Sequence, residues 1–194
     1  MFIETIPEDS AVGALAEFYQ QQRRAWGFLP NFAEAFSTRP EVARAWSLLN
    51  KAVRDGMDRR RFEIATIGAA RALNSTYCTA AHAKFLRDEC GDELTVIAIA
   101  ADPSGDGLDE QDRAVYNFAG KVARDASSIQ QHHIDGLHEL GLSDVADIDF
   151  AAAARSFFTR VLDGLGAQLD VQTAETFAPE ILASLVVGRP VAEI

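Results

Sequence analysis

The sequence predicts an all-α protein. Apolar residues recur at helical spacing through nearly all of its 194 positions, and no run alternates with β-branched enrichment as a half-buried strand does. The punctuation is also that of helices: Asp, Ser and Asn stand ahead of periodic segments, and Gly or Pro stands after or at the start of them.

The elements follow in order. Asp9-Ser10 offers an N-cap for a first helix through Arg24, with Val12, Leu15, Ala16 and Tyr19 on one face. Trp26-Gly27-Phe28-Leu29-Pro30-Asn31 breaks it, and a short piece spans Phe32 to Phe36. Pro40 suits the first turn of a helix to about Arg54, stopped by Gly56. The next, about Asp58 to Leu73, opens on three arginines expected to be a solvated helix start or an interface patch. It then turns apolar almost all round from Phe62 to Ala70, as a helix buried in a bundle does. Glu63 interrupts that run.

Asn74-Ser75 closes this helix and caps another that reaches Glu89 or Cys90 and ends at Gly91, making a helical hairpin. A short helix covers Asp92 to Ala101, and the loop Asp102 to Gly107 divides a single domain into two halves. Helices from Asp109 to about Arg124, Ser128 to Leu140 and Ser143 to Leu165 follow, the last capped by Ser143-Asp144. The closing segment, Pro179 to Ile194, shows no helical order and is expected to lie across a neighbour or subunit.

Composition excludes several classes. With 48% hydrophobic residues the chain can bury a substantial core. Eighteen Lys and Arg against 29 Asp and Glu leave a net charge of −11, which repels phosphate backbones and anionic lipid heads, so neither nucleic acid nor membrane is an expected partner. The longest purely apolar run, Val96 to Ala101, is far too short to span a bilayer, and the N-terminus lacks the pattern of a secretory signal. Cys78 and Cys90 on one helix stand roughly 18 Å apart at about 1.5 Å per residue, too far to pair. A reducing cytoplasm fits.

Asn74-Ser75-Thr76-Tyr77-Cys78-Thr79-Ala80-Ala81-His82 carries the chemistry. Cys78 falls in the first turn of its helix, where unpaired N–H groups and the positive dipole end favour an anion, and His82 at i+4 shares its face. These surroundings favour the thiolate, the nucleophilic form of cysteine. Ser75 is placed to donate a hydrogen bond to the sulfur, and Glu63, folded back over the elbow, to hold the imidazole in one tautomer. A bland reading stands beside each: free cysteine is among the most buried residue types, Glu63 can pair with Arg59 or Arg60 at the surface, and His82 can bond a core carbonyl. Cys90 reads as structural. His133 and His138, five apart, do not share a face for a metal, and Trp26 and Phe28 either pack or shape a substrate channel. Tyr77 either contacts the thiolate or simply packs.

The stretch from Arg61-Phe62-Glu63-Ile64-Ala65 to Tyr77-Cys78-Thr79-Ala80-Ala81-His82 resembles the AhpD and carboxymuconolactone decarboxylase superfamily, especially its peroxidase-related branch. That family's motif is Glu followed by Cys-x-x-Cys-x-x-x-His, and Glu63, Cys78 and His82 match its glutamate, second cysteine and histidine. Gly27 to Phe32 and the region from Gly141 to Gly166 are also similar. The resemblance implies an AhpD-like helical bundle that self-associates, needs no cofactor, and reacts with a hydroperoxide or related small molecule. Cys78 is then the nucleophile, His82 its acid/base partner and Glu63 the orienting residue. Ser75 stands where the family has its resolving cysteine and Tyr77 where it has a further relay histidine, so an external thiol, or Cys90 of another subunit, must reduce the oxidised sulfur. Two other readings are a carboxymuconolactone-decarboxylase-like lyase, in which the thiol is a bystander, and a non-catalytic redox-sensing oligomer.

Overall fold

A computed structural model describes residues 1–193. After a 3₁₀ turn at Glu8–Ser10 come α1 (Gly13–Trp26), α2 (Asn31–Ala35), α3 (Pro40–Asp55), α4 (Arg59–Ala72), α5 (Thr76–Cys90) and α6 (Glu93–Ala101). Beyond the loop at 102–109 follow α7 (Glu110–Asp125), α8 (Gln131–Glu139), α9 (Val145–Leu165), α10 (Val171–Ala174) and α11 (Pro179–Leu185). Among the described residues the only β pairing is one isolated bridge, Leu169 to Val191, and no helix is long and apolar enough to cross a membrane. The fold is all-helical, as the apolar spacing predicts.

The bundle is organised around α4. Every residue from Phe62 to Ala70 is buried, because α5, α7 and α9 cover it on successive sides. Burying side chains such as Phe62, Ile64 and Ile67 contributes roughly 1.5–3 kcal/mol each. Helices from both sides of the 102–109 loop thus share one core, and α7 lies so close to α4 that a Cβ at Gly68 would stand 2.3 Å from the Tyr116 carbonyl oxygen. A second cluster, in which Leu15, Phe18, Tyr19, Phe36, Phe158 and Leu162 pack around Tyr77 and Cys78, joins α1, α2 and α9 to the start of α5.

Several local expectations are corrected. Ser10 does not cap α1; its hydroxyl bonds Asp9, the helix starts at Gly13 after Val12, and Val12 is exposed. Ser75 occupies the N-cap position of α5 without a side-chain cap bond, the turn being made by Asn74 at φ 57°. Asp144 precedes α9 but spends its carboxylate on Arg61 rather than on a cap. The three arginines at the start of α4 are not a solvated patch: Arg59 pairs with Glu63 and Glu89, Arg60 with Asp92 and Asp112, and Arg61 with Asp144. They tie the head of α4 to α5, α7 and α9.

The C-terminal segment is partly helical after all. Its periodicity hid because α11 has only seven residues and Leu185 is its one fully buried anchor. The segment folds back on its own chain, with Ile181, Leu182 and Val191 against the main core. Ile194 lies outside the described residues.

The α4–α7 crossing sets a stability test. Gly68→Ala forces a methyl group against backbone that cannot rotate away, and we expect a loss of about 1–3 kcal/mol or more in urea denaturation. Gly136→Ala in α8, whose added methyl meets nothing within 4 Å, should leave stability unchanged or raise it by up to about 1 kcal/mol.

Candidate active site

The hairpin of α4 and α5 is antiparallel, and this brings Glu63, near the start of one helix, beside His82 in the second turn of the other. Their side chains bond directly, His82 Nδ1 to Glu63 Oε2 at 2.5 Å, with Glu63 fully buried and the ring 6% exposed. Arg59 Nη2 lies 2.8 Å from the other oxygen, Oε1, and 2.7 Å from Glu89 Oε2. The Arg59 pairing foreseen for Glu63 is real, but it forms beneath the surface and serves the imidazole contact as well.

This arrangement fixes how the ring is hydrogen-bonded. With Arg59 on its other side, the Glu63 carboxylate is the acceptor and Nδ1–H the donor, which leaves Nε2 as the nitrogen with a free lone pair. Burial, reinforced by the Arg155 guanidinium and opposed by Glu63, lowers the His82 pKa from 6.5 to about 4. At neutral pH the ring is therefore an uncharged base, not the imidazolium that the spacing alone suggests as a partner for a thiolate.

The cation beside the sulfur is one that the hairpin motif does not contain. Arg155, in the middle of α9, donates from Nη1 to Cys78 Sγ at 3.7 Å. It is 3% exposed, has no carboxylate partner among the described residues, and leaves Nε without an acceptor. Its remaining contacts are ring faces, with the guanidinium carbon 5.2 Å from the Trp46 centroid and 5.3 Å from that of Phe158. Cys78, the third residue of α5 and 1% exposed, thus has a helix start behind it and a guanidinium in front.

These groups face a cavity of about 170 Å³ whose wall includes Cys78, His82, Arg155, Gln22 and Asn50. The rest is largely aromatic: Trp26, Phe32, Trp46, Tyr77, Phe85 and Phe158. The rings brace one another, Trp26 edge-on to Phe32 and Trp46 stacked on Phe158 at 4.0 Å. Trp26 therefore does shape the site, while Phe28 supports it from behind at 6.2 Å.

Tyr77 contributes its ring to the wall and turns its hydroxyl away. The hydroxyl donates to Asp170 Oδ2 and accepts from the Phe32 amide at 3.4 Å, while Asp170 Oδ1 accepts from the Asn31 amide at 2.6 Å. Burial raises the Tyr77 pKa well above its usual value and that of Asp170 above the usual carboxylate range. The network pins α2 and its Phe32 against α5. Ser75 is fully buried but does not line the cavity; it sits beside Asp163, whose carboxyl burial pushes up. Cys90 is half-buried at the far end of α5, close to Arg59 and Glu63 on the side away from the sulfur; burial and Glu63 push its thiol up. Among the described residues no His, Cys, Asp and Glu cluster could hold a metal ion.

The buried His82 predicts a pH effect on stability. Because its folded pKa lies below its unfolded value, the unfolded chain binds the extra proton first. Stability contributed here is intact above about pH 6.5 and is lost as pH falls toward about 4. The loss is on the order of 3 kcal/mol. Urea denaturation of wild type minus His82→Gln across that window should show it; equal pH slopes would remove the buried neutral ring.

Comparison with known proteins agrees with the geometry. Residues 40–102, spanning α3 to α6, match the carboxymuconolactone decarboxylase family. No curated protein matches the sequence. Among solved structures, the chain is similar to an alkylhydroperoxidase AhpD core, an uncharacterized peroxidase-related protein from Ralstonia eutropha JMP134, at TM-score 0.75 and 21% identity over 96% of this chain and 97% of that one. It is also similar to a peroxidase-related protein from Silicibacter sp. TM1040 (TM-score 0.72, 17% identity, 89% and 91%) and to the debrominase Bmp8 (TM-score 0.72, 18% identity, 93% and 96%). A cysteine-to-alanine variant of Bmp8 in complex with 2,3,4-tribromopyrrole matches at TM-score 0.69, 19% identity, 93% and 94%. The chain is thus similar to the carboxymuconolactone decarboxylase family over its central hairpin and shares its fold with AhpD-like proteins over nearly its whole length.

Proposed function

We propose that the protein is a thiol-dependent oxidoreductase related to alkylhydroperoxidases, in which Cys78 attacks an electrophilic atom of a small substrate held in the aromatic cavity. The observation that carries this reading is the buried Arg155 guanidinium, which has the sulfur and, among the described residues, no carboxylate beside it. A buried cation without a partner is costly, and negative charge on sulfur offsets that cost. His82 takes the thiol proton at Nε2, Glu63 steadies the resulting imidazolium, and Arg155 compensates the charge on sulfur.

For a hydroperoxide the steps balance simply. The sulfur bonds to the distal oxygen, the O–O bond breaks, and the departing alkoxide recovers the proton from His82, giving an alcohol and a sulfenic acid. With Ser75 in place of a resolving cysteine, an external thiol condenses with the sulfenic acid to a mixed disulfide and water, and a second thiol releases Cys78 as a dithiol pair is oxidised.

A second reading rests on the six aromatic side chains of the wall and on the likeness to Bmp8. A halogenated aromatic ring suits such a wall. Cys78 then abstracts the halogen as its electrophilic form, the ring carbon takes a proton, and an external thiol displaces halide from the sulfenyl halide. Both chemistries need the same sulfur, base and cation, and they differ in the substrate.

Turnover with added dithiol tests the reading. Cys78→Ser should abolish consumption of cumene hydroperoxide or of a bromopyrrole, and Arg155→Gln and His82→Ala should each lower kcat/KM by about 10²–10⁴-fold. Full activity in Cys78→Ser would instead mark the thiol as a bystander, as a lyase would have it.

A further inference from the structure

A larger cavity, of about 500 Å³, lies away from the sulfur at the crossing of α4 and α7. Its floor is the place where Gly68 and Gly120 let the two helices touch, and its wall includes Arg71 from α4 and Arg124 from α7, with Tyr116, Ser104 and Asn117. In a chain of net charge −11, most arginines have found a carboxylate; these two have none among the described residues. Arg71 donates one N–H to the Ser184 carbonyl at 3.0 Å and stands against the Tyr116 hydroxyl, and of the five N–H groups in its fork others remain for a ligand. Both guanidiniums reach the surroundings of the Tyr116 hydroxyl, which is itself committed to the Pro103 carbonyl at 3.1 Å. Asp102, an acid close to Tyr116, is engaged by the Ser104 hydroxyl and amide.

Two uncompensated planar cations converging on one concave surface match a dianion with several oxygens better than a single carboxylate, which one guanidinium fork satisfies alone. We propose that this cavity binds the phosphate group of a small molecule between Arg71 and Arg124, with the Tyr116 ring and Ala72 as the wall for the rest of it. The site is separate from Cys78, so its occupancy does not depend on the sulfur chemistry.

Isothermal titration of the full chain with inorganic phosphate, against malonate and chloride at matched ionic strength, tests this. Phosphate should bind saturably and equally well to wild type and Cys78→Ser. Arg124→Gln, at an exposed position where folding is not at risk, should weaken binding at least about tenfold, the size of one charge-assisted contact. Adding Arg71→Gln should abolish it. Uptake no better than that of chloride, or an unchanged affinity in Arg124→Gln, overturns the proposal, and malonate binding as tightly as phosphate overturns its phosphate assignment.

Discussion

A guanidinium sealed inside the protein, with no carboxylate partner among the described residues, is the constraint around which the site is arranged. Arg155 is held by two ring faces and one sulfur. Ring quadrupoles offset part of a buried cation's lost hydration, at about 2 kcal/mol or more per desolvated contact, but an uncompensated ion in a dry interior loses considerably more. Its side-chain hydrogen bond among the described residues goes to Cys78. The position of the sulfur on α5, the packing of Trp46 and Phe158, and the register of α9 against α5 all serve to keep that pair together. Charge for the site therefore comes from α9, not from the imidazole.

Separating charge from base has a chemical consequence. A histidine that stabilised the thiolate as imidazolium would have no lone pair left to take a proton. Burial and Arg155 keep His82 neutral, so it retains Nε2 as a base while Glu63 fixes Nδ1–H. Arg59 extends the chain outward, linking buried Glu63 to Glu89, which is half-exposed. One line of polar groups thus runs from the cavity through the α4–α5 hairpin to solvent, and the paired arginines at the head of α4 hold its outer end still.

How much of this was legible depended on where the contacting residues lie in sequence. The hairpin is local, so Glu63, Cys78 and His82 could be placed by helical spacing and by the likeness of their motif. The all-round apolar run of α4 likewise announced its burial. Arg155 sits 77 positions beyond Cys78, and nothing in periodicity says which helix closes the cavity. A signal was present nonetheless: it is the only charged residue between Asp149 and Arg160, the same pattern of one charge in an apolar run that marked Glu63. Ser75 was misjudged because a serine at a helix start usually caps, whereas here the left-handed Asn74 makes the turn and the hydroxyl faces Asp163. The arginine triplet was misjudged because its acids come from α5, α6, α7 and α9, far along the chain.

Access to Cys78 is set by the cavity. At about 170 Å³, with the sulfur 1% exposed, it has room for one small molecule at a time. A folded partner protein is too bulky to reach the sulfur unless the aromatic wall opens. The rings that make the wall are fastened in two ways. Phe32 is pinned through the Tyr77–Asp170–Asn31 network, and Trp46 donates from its indole N–H to the Ala154 carbonyl at 3.2 Å. Trp26 and Phe85 make no side-chain hydrogen bond among the described residues; they rest on each other at 5.3 Å between centroids, with Phe85 beneath the Arg59 guanidinium at 5.9 Å, so this side of the wall is held by ring and cation–π contacts and the other by hydrogen bonds.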